Sequence, residues 1–390
     1  MILGNTSVET SQEGVVFENC YNITVTGCRI DLMHTRGIKF ERCMFAHVSD
    51  CTITNTERTG LAYCVAITAG SSYITINNCT FEDARHATTI GGSEGVCRYI
   101  TISNCTASGM HDALFESNAM SDFVVWSGNS GTGQDWATDS EIDGIINQGG
   151  SCVVSNNVFH GVARTGILCQ NMVAEGMRAS DIQYSISGNT LSHVAGAATP
   201  SDGGSSISIQ QGGLSRDAVE DPIGRDSMAI GGVTISGNNI SDANDAGIYI
   251  NGKAPFVDNV DSGNNGTNSI MKVISVTGNT IKNQFATEAY AGIRVLENAD
   301  GVVKYGTIVG NVIEMDATTS GARCIELVGT PQGFAISANT TIKGDVAVHL
   351  NSAVDVSVTG NVFLETGSTG DYVNSTSATG TIVEANNLES

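Results

Sequence analysis

One short phrase recurs from end to end of this 390-residue chain, and a recurrence of that reach decides architecture before any other feature. Clear copies are ITVTGCRI (23–30), YITINNCTF (73–81), YITISNCTA (99–107), YSISGNTL (184–191), VTISGNNI (233–240), ISVTGNTI (274–281) and VSVTGNVF (356–363). AHVSDCTI (46–53), VVWSGNSG (124–131), CVVSNNVF (152–159), GTIVGNVI (306–313), FAISANTTI (334–342) and TIVEANNL (381–388) bring the total to thirteen. Each copy has a pivot: Cys28, Cys51, Cys79 and Cys105, then Asn129, Asn157, Asn189, Asn238, Asn279, Asn311, Asn339, Asn361 and Asn386. The pivots are 22 to 49 residues apart, so length varies between copies and not within them.

Every copy alternates with period two, the signature of a strand with one buried face. Ile and Val fill the third and fifth positions before the pivot, as in Ile74 and Ile76, while Ser and Thr fill the second and fourth. The pivot Asn, usually after Gly, is expected to make a left-handed turn. A second phrase precedes most copies: GVVFEN (14–19), GIKFER (37–42), CVAITA (64–69), DALFES (112–117), GIINQG (144–149), GILCQN (166–171), SISIQQ (206–211), GIYING (247–252), GIRVLE (292–297), CIELVG (324–329) and AVHLNS (347–352). A unit is therefore strand A, loop, strand B, turn, short strand C, loop. Such a unit cannot bury its apolar face alone, but stacked units can. The expectation is an all-β, right-handed parallel β-helix solenoid of about 13 turns with three strands per turn. At about 4.8 Å per strand it makes a rod of roughly 60 Å.

The pattern GIYI…VTISGNNI resembles the right-handed parallel β-helix (pectin-lyase-like) superfamily over residues 14–388, and among its members the phage tailspike depolymerases. The resemblance implies carbohydrate bound in a groove over one strand face, walled by variable loops. The paired-Asp and GHG signatures of polygalacturonases and the DPH signature of alginate epimerases do not occur.

Composition agrees with a single solenoid domain over 1–390. Pro, at 4 residues, is scarce because an interior strand needs every N–H, and the 46 Gly serve turns and strand starts. With 18 Lys and Arg against 40 Asp and Glu, the net charge of −22 excludes nucleic acid and disfavours a strongly anionic substrate. No stretch is long and apolar enough for a membrane span. The start, MILGNTSVETSQEGVV, shows no signal peptide. Eleven Cys, an odd number, with several at equivalent places in successive turns, read as free packed thiols from a reducing compartment. Neither end carries a helix to cap the rod, so the chain is expected to be a fragment of a longer one. The alternative is that partner subunits supply the caps.

Five loops are long: 132–143, 192–205, 212–232, 252–272 and 282–291. They bracket strand A of turns five to ten, which places the expected groove there. Glycoside hydrolysis needs two carboxylates. Asp112 and Asp143 both open strand A of successive turns, and Glu116 would line a neighbouring subsite. Glu220 and Asp221, with Asp217 and Asp226, would act from a loop. One outward row of strand A (Glu18, Glu41, Thr68, Gly91, Glu116, Gln148, Gln170, Gln210, Asn251) offers Gln148, Gln170 and Gln210 to sugar hydroxyls, or else stacks as an amide ladder. Glu18 and Glu41, beside Lys39, read as a solvated face. Trp136 is the candidate for stacking on sugar, and Trp126 reads as core. A second row (Tyr249, Arg294, Glu326, His349) suits lyase chemistry, in which a cation neutralises a uronate and a base removes a proton. The same four residues also fit a salt-bridge ladder. Phe45, Tyr73, Tyr99 and Phe123 form an aromatic column that reads first as a structural stack and second as a sugar platform.

Three functions follow. The first is a tailspike-like protein that binds and hydrolyses a bacterial surface polysaccharide, as a homotrimer in a virion tail made in the host cytoplasm. The second is a uronate lyase or epimerase, with an extracellular location as the alternative. The third is a non-catalytic β-helical adhesin or virion component. No cofactor or metal site is expected, although the acids leave room for Ca²⁺.

Overall fold

The computed structural model describes residues 1–3, 12–56, 61–92, 94–133, 142–171, 182–194, 204–210, 229–243, 245–252, 269–283, 291–297, 301–315, 321–366, 373–374 and 377–389. Among these there is no helix, so none is long and apolar enough to cross a membrane. Three all-parallel sheets carry the chain, and consecutive strands always fall in different sheets. The A strands form one sheet of 13, the B strands another of 13, and the C strands a third of 14. Each circuit A, B, C climbs one strand, as the repeat predicts.

Three strands fall outside the repeat as read from sequence. Ile2–Leu3 pairs with Ile30 and Asp31 and adds a C strand before the first full turn. His86–Ile90 is the A strand of turn four and Val373–Asn374 that of turn thirteen. HATTI has Thr88 where its neighbours have Val65 and Phe115, which hid it.

Inward rows of Ile, Val, Phe and Cys pack into one continuous core. Trp126 is fully buried in it, as expected. All eleven cysteines are free thiols, and nine are buried. Burial pushes the Cys51 thiol up to about 11 and that of Cys64 to about 12, so both behave as small apolar groups.

The pivot residues do something other than expected. The left-handed residue is the one before the pivot, such as Gly128 (φ 68°), Asn156 (φ 56°) or Gly188 (φ 65°). The pivot itself turns inward and is buried. Asn157 Nδ2 donates to Trp126 O in the turn before (3.2 Å) and to Asn189 Oδ1 in the turn after (2.9 Å). Asn189 Oδ1 also accepts the Asn157 backbone N–H (2.9 Å). The pattern runs from Asn129 through Asn157, Asn189, Asn238, Asn279, Asn311, Asn339 and Asn361 to Asn387. The last member is Asn387 rather than Asn386, whose φ of 55° makes it the turn residue. The ladder holds its length whatever the loop: 2.9 Å between Asn189 and Asn238, 49 residues apart, and 3.0 Å between Asn339 and Asn361, 22 apart.

Candidate active site

Register along the A sheet decides which side chains share a face. One outward row runs Lys39, Ala66, Thr89, Glu116, Ile146, Leu168, Ser208, Tyr249, Arg294, Glu326 and His349. The other contains Glu18, Glu41 and Thr68, then Asn118, Gln148, Gln170, Gln210 and Asn251. Glu116 therefore belongs to the row opposite the one expected, and Asn118 takes its place beside the amides. Gln148, Gln170 and Gln210 do line up, half-buried. The Gln210 amide donates to Ser208 on its own strand (3.0 Å).

Asp112 and Asp143 are not register partners, because Asp143 pairs with Ala113. Asp143 is wholly buried. Arg164 binds its Oδ2 through Nε (2.8 Å) and Nη2, and the Thr165 N–H donates to Oδ1 (2.8 Å). Burial still pushes its carboxyl above the ordinary value, against the pull of Arg164. Both oxygens are engaged, which makes Asp143 a buried ion-pair member.

The carboxylates that converge are Asp112 and Glu116, which strand rise alone had separated by about 13 Å. Both lean onto His86, a residue of the A strand missing from the repeat. His86 Nε2 faces Asp112 Oδ2 at 3.5 Å and Glu116 Oε2 at 3.4 Å. The two oxygens are thus at most about 7 Å apart. His86 Nδ1 lies against the Ala113 backbone, 3.2 Å from its N and 3.3 Å from its O, and leaves Nε2 facing the two acids. At these distances Nε2 makes no formed hydrogen bond, although the ring is fully buried. Burial holds the imidazole below its ordinary value, against the two carboxylates. Tyr63 stacks on the ring at 5.4 Å.

Arg85 grips Asp112 Oδ2 through Nε (3.0 Å) and Nη2 (2.8 Å), both donating to the one oxygen. Glu116 Oε2 accepts from Thr89 Oγ1 (3.1 Å) and Asn118 Nδ2 (3.4 Å). Asp112 and Glu116 remain partly open to solvent, at 25% and 13%. A pair of acids, a buried imidazole between them and a clamping cation therefore share a surface of turns four and five. The sequence offered no signal for Arg85 or His86 beyond their place between two recognised turns.

The second constellation assembles as its row predicts, at the other end of the sheet. Glu326 is 2% exposed and is contacted by Arg294 (3.0 Å), Arg323 and His349 Nδ1 (3.1 Å). The Arg294 approach is a charge contact whose angle is not that of a hydrogen bond. Against the upward push of burial, His349 and the two arginines hold the Glu326 carboxyl below its ordinary value. Arg294 lies over the Tyr249 ring at 6.0 Å, and burial pushes the Tyr249 phenol up to about 12. Asp245 accepts from Ser205 (2.9 Å) close by. Every charge here has a partner, the arrangement of a buried salt-bridge ladder.

Trp136, Glu220 and Asp221, with Asp217 and Asp226, lie outside the described residues, as does most of the five long loops. A groove of about 510 Å³ lined by described residues lies over the B strands of turns four to eight. Glu18 and Glu41 share Arg42 (2.6 Å each) and Lys39 meets Glu41 (2.7 Å), a solvated ion-pair face as read. Among the described residues, no group of three or more His, Cys, Asp or Glu has metal-binding geometry.

No family model and no curated protein matches the chain. Solved structures do. The A-module of the Azotobacter vinelandii mannuronan C-5 epimerase AlgE6 covers 93% of this chain and 90% of its own, at 12% identity and TM-score 0.52. A double mutant of the tailspike protein of E. coli bacteriophage HK620, in complex with a pentasaccharide, covers 93% and 69%, at 11% identity and TM-score 0.59. Another mutant of that tailspike, with a hexasaccharide, covers the same shares at 10% identity and TM-score 0.54. The chain is a right-handed parallel β-helix. At such identities the likeness is one of fold, and the chemistry of this β-helix has to be argued from its own side chains.

Proposed function

We propose that this β-helix binds and hydrolyses a bacterial surface polysaccharide, in the manner of a tailspike, with Asp112 and Glu116 as the working carboxylates. The observation that carries the reading is the convergence of both acids on the unpartnered Nε2 of buried His86. A glycosidase of this type needs one carboxyl group to protonate the leaving oxygen and another to attack or to activate water. Arg85 fixes Asp112 in place. His86 lies between the two acids and positions both. The Gln148, Gln170, Gln210 row runs along the same sheet beyond the acids and would hold sugar hydroxyls in line. The proposed reaction uses no cofactor, and the proposed assembly is a homotrimer in a virion tail. The tailspike likeness supports that setting, and the net charge of −22 favours a substrate that is not strongly anionic.

A lyase or epimerase reading draws on the epimerase likeness and on Tyr249, Arg294, Glu326 and His349. Against it, Glu326 is occupied by three partners and the Tyr249 phenol is held protonated. Digestion of a panel of purified bacterial polysaccharides, with products weighed by mass spectrometry, separates the readings. Hydrolysis adds water, whereas elimination leaves an unsaturated end. Asp112→Asn and Glu116→Gln should each lower cleavage at least a hundredfold without lowering the melting temperature by more than a few degrees. Undiminished cleavage in both variants would sink the assignment. Binding without any product, and without a change of sugar configuration by NMR, would make the protein an adhesin.

A further inference from the structure

The B face carries features that the proposed reaction does not use. Its two outward rows run from Thr24 to Val383 and from Thr26 to Ala385. Neither row holds an Asp, Glu, Lys or Arg at any turn, in a chain of net charge −22. The A face, by contrast, carries Lys39, Glu41, Glu116, Arg294 and Glu326.

Along the edge of these two rows, beside the Arg98–Asp122 ion pair of the same strands, stands the aromatic column. Tyr21, Phe45, Tyr73, Tyr99 and Phe123 are between 41% and 62% exposed, with neighbouring centroids 4.8 to 5.2 Å apart. The inner rings cover one another, so a flat ligand meets only their edges. The stack ends at Phe123, because the next two turns place Ser151 and Gln183 at the ring position. The backbone changes there too. Phe45, Tyr73, Tyr99 and Phe123 all have φ between 54° and 59°, while Ser151 and Gln183 are not left-handed. One face of Phe123 is left open onto the groove of about 510 Å³, together with Ser151, Val153, Gln183, Ser185 and Thr234. Asp122 at the rim already accepts the N–H groups of Phe123 and Ser151, both at 3.0 Å. The Gln183 side chain lies across Gly232, where a Cβ would come within 2.2 Å of its amide oxygen. Gly232 thereby seats the amide at the groove wall.

We propose that this groove is a binding subsite for an uncharged pyranose unit of a polysaccharide, on a different face from Asp112 and Glu116. The open ring offers a flat apolar surface to the C–H face of a sugar. The hydroxyls and the amide supply donors and acceptors for its hydroxyl groups. The volume is that of a small-molecule site. A neutral unit needs no counter-charge, and the two outward rows present none. The inference rests on the polysaccharide reading and extends it to a second face.

The test measures retention of the wild-type chain, Phe123→Ala, Val153→Trp and Tyr305→Ala on immobilised O-antigen and capsular polysaccharides, with light scattering alongside. Tyr305 is exposed in the same column but lies outside the groove. Phe123→Ala removes the open ring, and Val153→Trp fills the groove from an exposed position. Both should weaken retention at least tenfold at an unchanged melting temperature, while Tyr305→Ala binds as the wild type does. If the wild type binds and both groove variants bind equally well, the subsite is wrong and the polysaccharide reading stands. If the wild type binds no polysaccharide, both fall. If Val153→Trp dissociates an oligomer and leaves retention intact, the face belongs to a second copy and the subsite is overturned.

Discussion

The asparagine at each pivot does more for this fold than its turn propensity. Asn238 donates to Ile186 O (3.2 Å) and Asn279 Oδ1 (2.9 Å), and its own Oδ1 accepts two N–H groups of Asn189. Asn238→Ala strands several of these groups away from water, and each buried orphan costs about 1–3 kcal/mol. A loss of about 3 kcal/mol or more is expected in urea denaturation. Asn238→Cys, which copies the pivots of turns one to four, should lose less. Burial acts differently on His86. Its imidazole is held below the ordinary 6.5, so near that pH the unfolded chain binds a proton that the folded one refuses. The stability from this group is full above about 6.5 and falls as the pH drops through that value. Thermal melts at pH 7.5 and 5.5 should therefore differ less for His86→Gln than for the wild type. Asp143 is the residue that sequence alone misjudged. Its place at a strand start looked catalytic, and only the fold reveals Arg164 closing over it.

At the scale of the element, several A strands open with a glycine that has no room for a side chain. A Cβ on Gly292 would sit 2.4 Å from Ile313 and 2.8 Å from Cys324 O, and one on Gly144 2.3 Å from Gly166 O. The corner between strands C and A is filled by a C-strand side chain from the core, which leaves no room for a methyl group. Gly292→Ala should cost about 1–3 kcal/mol in urea denaturation, although alanine is otherwise a milder residue in a strand. Alternation, pivots and strand starts made sheet membership legible, because each reports which face is buried. What stayed hidden was a matter of register. Glu116 belongs to the other outward row, and HATTI carries Thr88 where the A strands beside it carry Val65 and Phe115. Side chains that lean along a sheet are invisible to period-two counting, so the meeting of Asp112 and Glu116 over His86 could not be read from spacing.

For the whole molecule, the excess of acid over base is unevenly placed. The outward B rows carry none of it, which leaves the A face, the corners and the loops to hold the net −22. Such a charge opposes compactness through self-repulsion, and salt screens it. Raising sodium chloride from 10 to 150 mM should raise the melting temperature by a few degrees. A flat or falling response would show that the acids are already neutralised by local partners such as Arg164, Arg85 and Arg42. Stability in a stack of this kind is a sum over turns and their interfaces, so substitutions in distant turns should add.

The asparagine ladder has one more consequence. Its spacing is the same across 22 residues of chain as across 49, so progress along the rod is counted in hydrogen bonds and not in residues. Contour can be added or removed between two rungs without displacing the next. The outer surface is thus a set of exchangeable attachments on a fixed rail, and a change of ligand preference through loop replacement leaves the rail untouched.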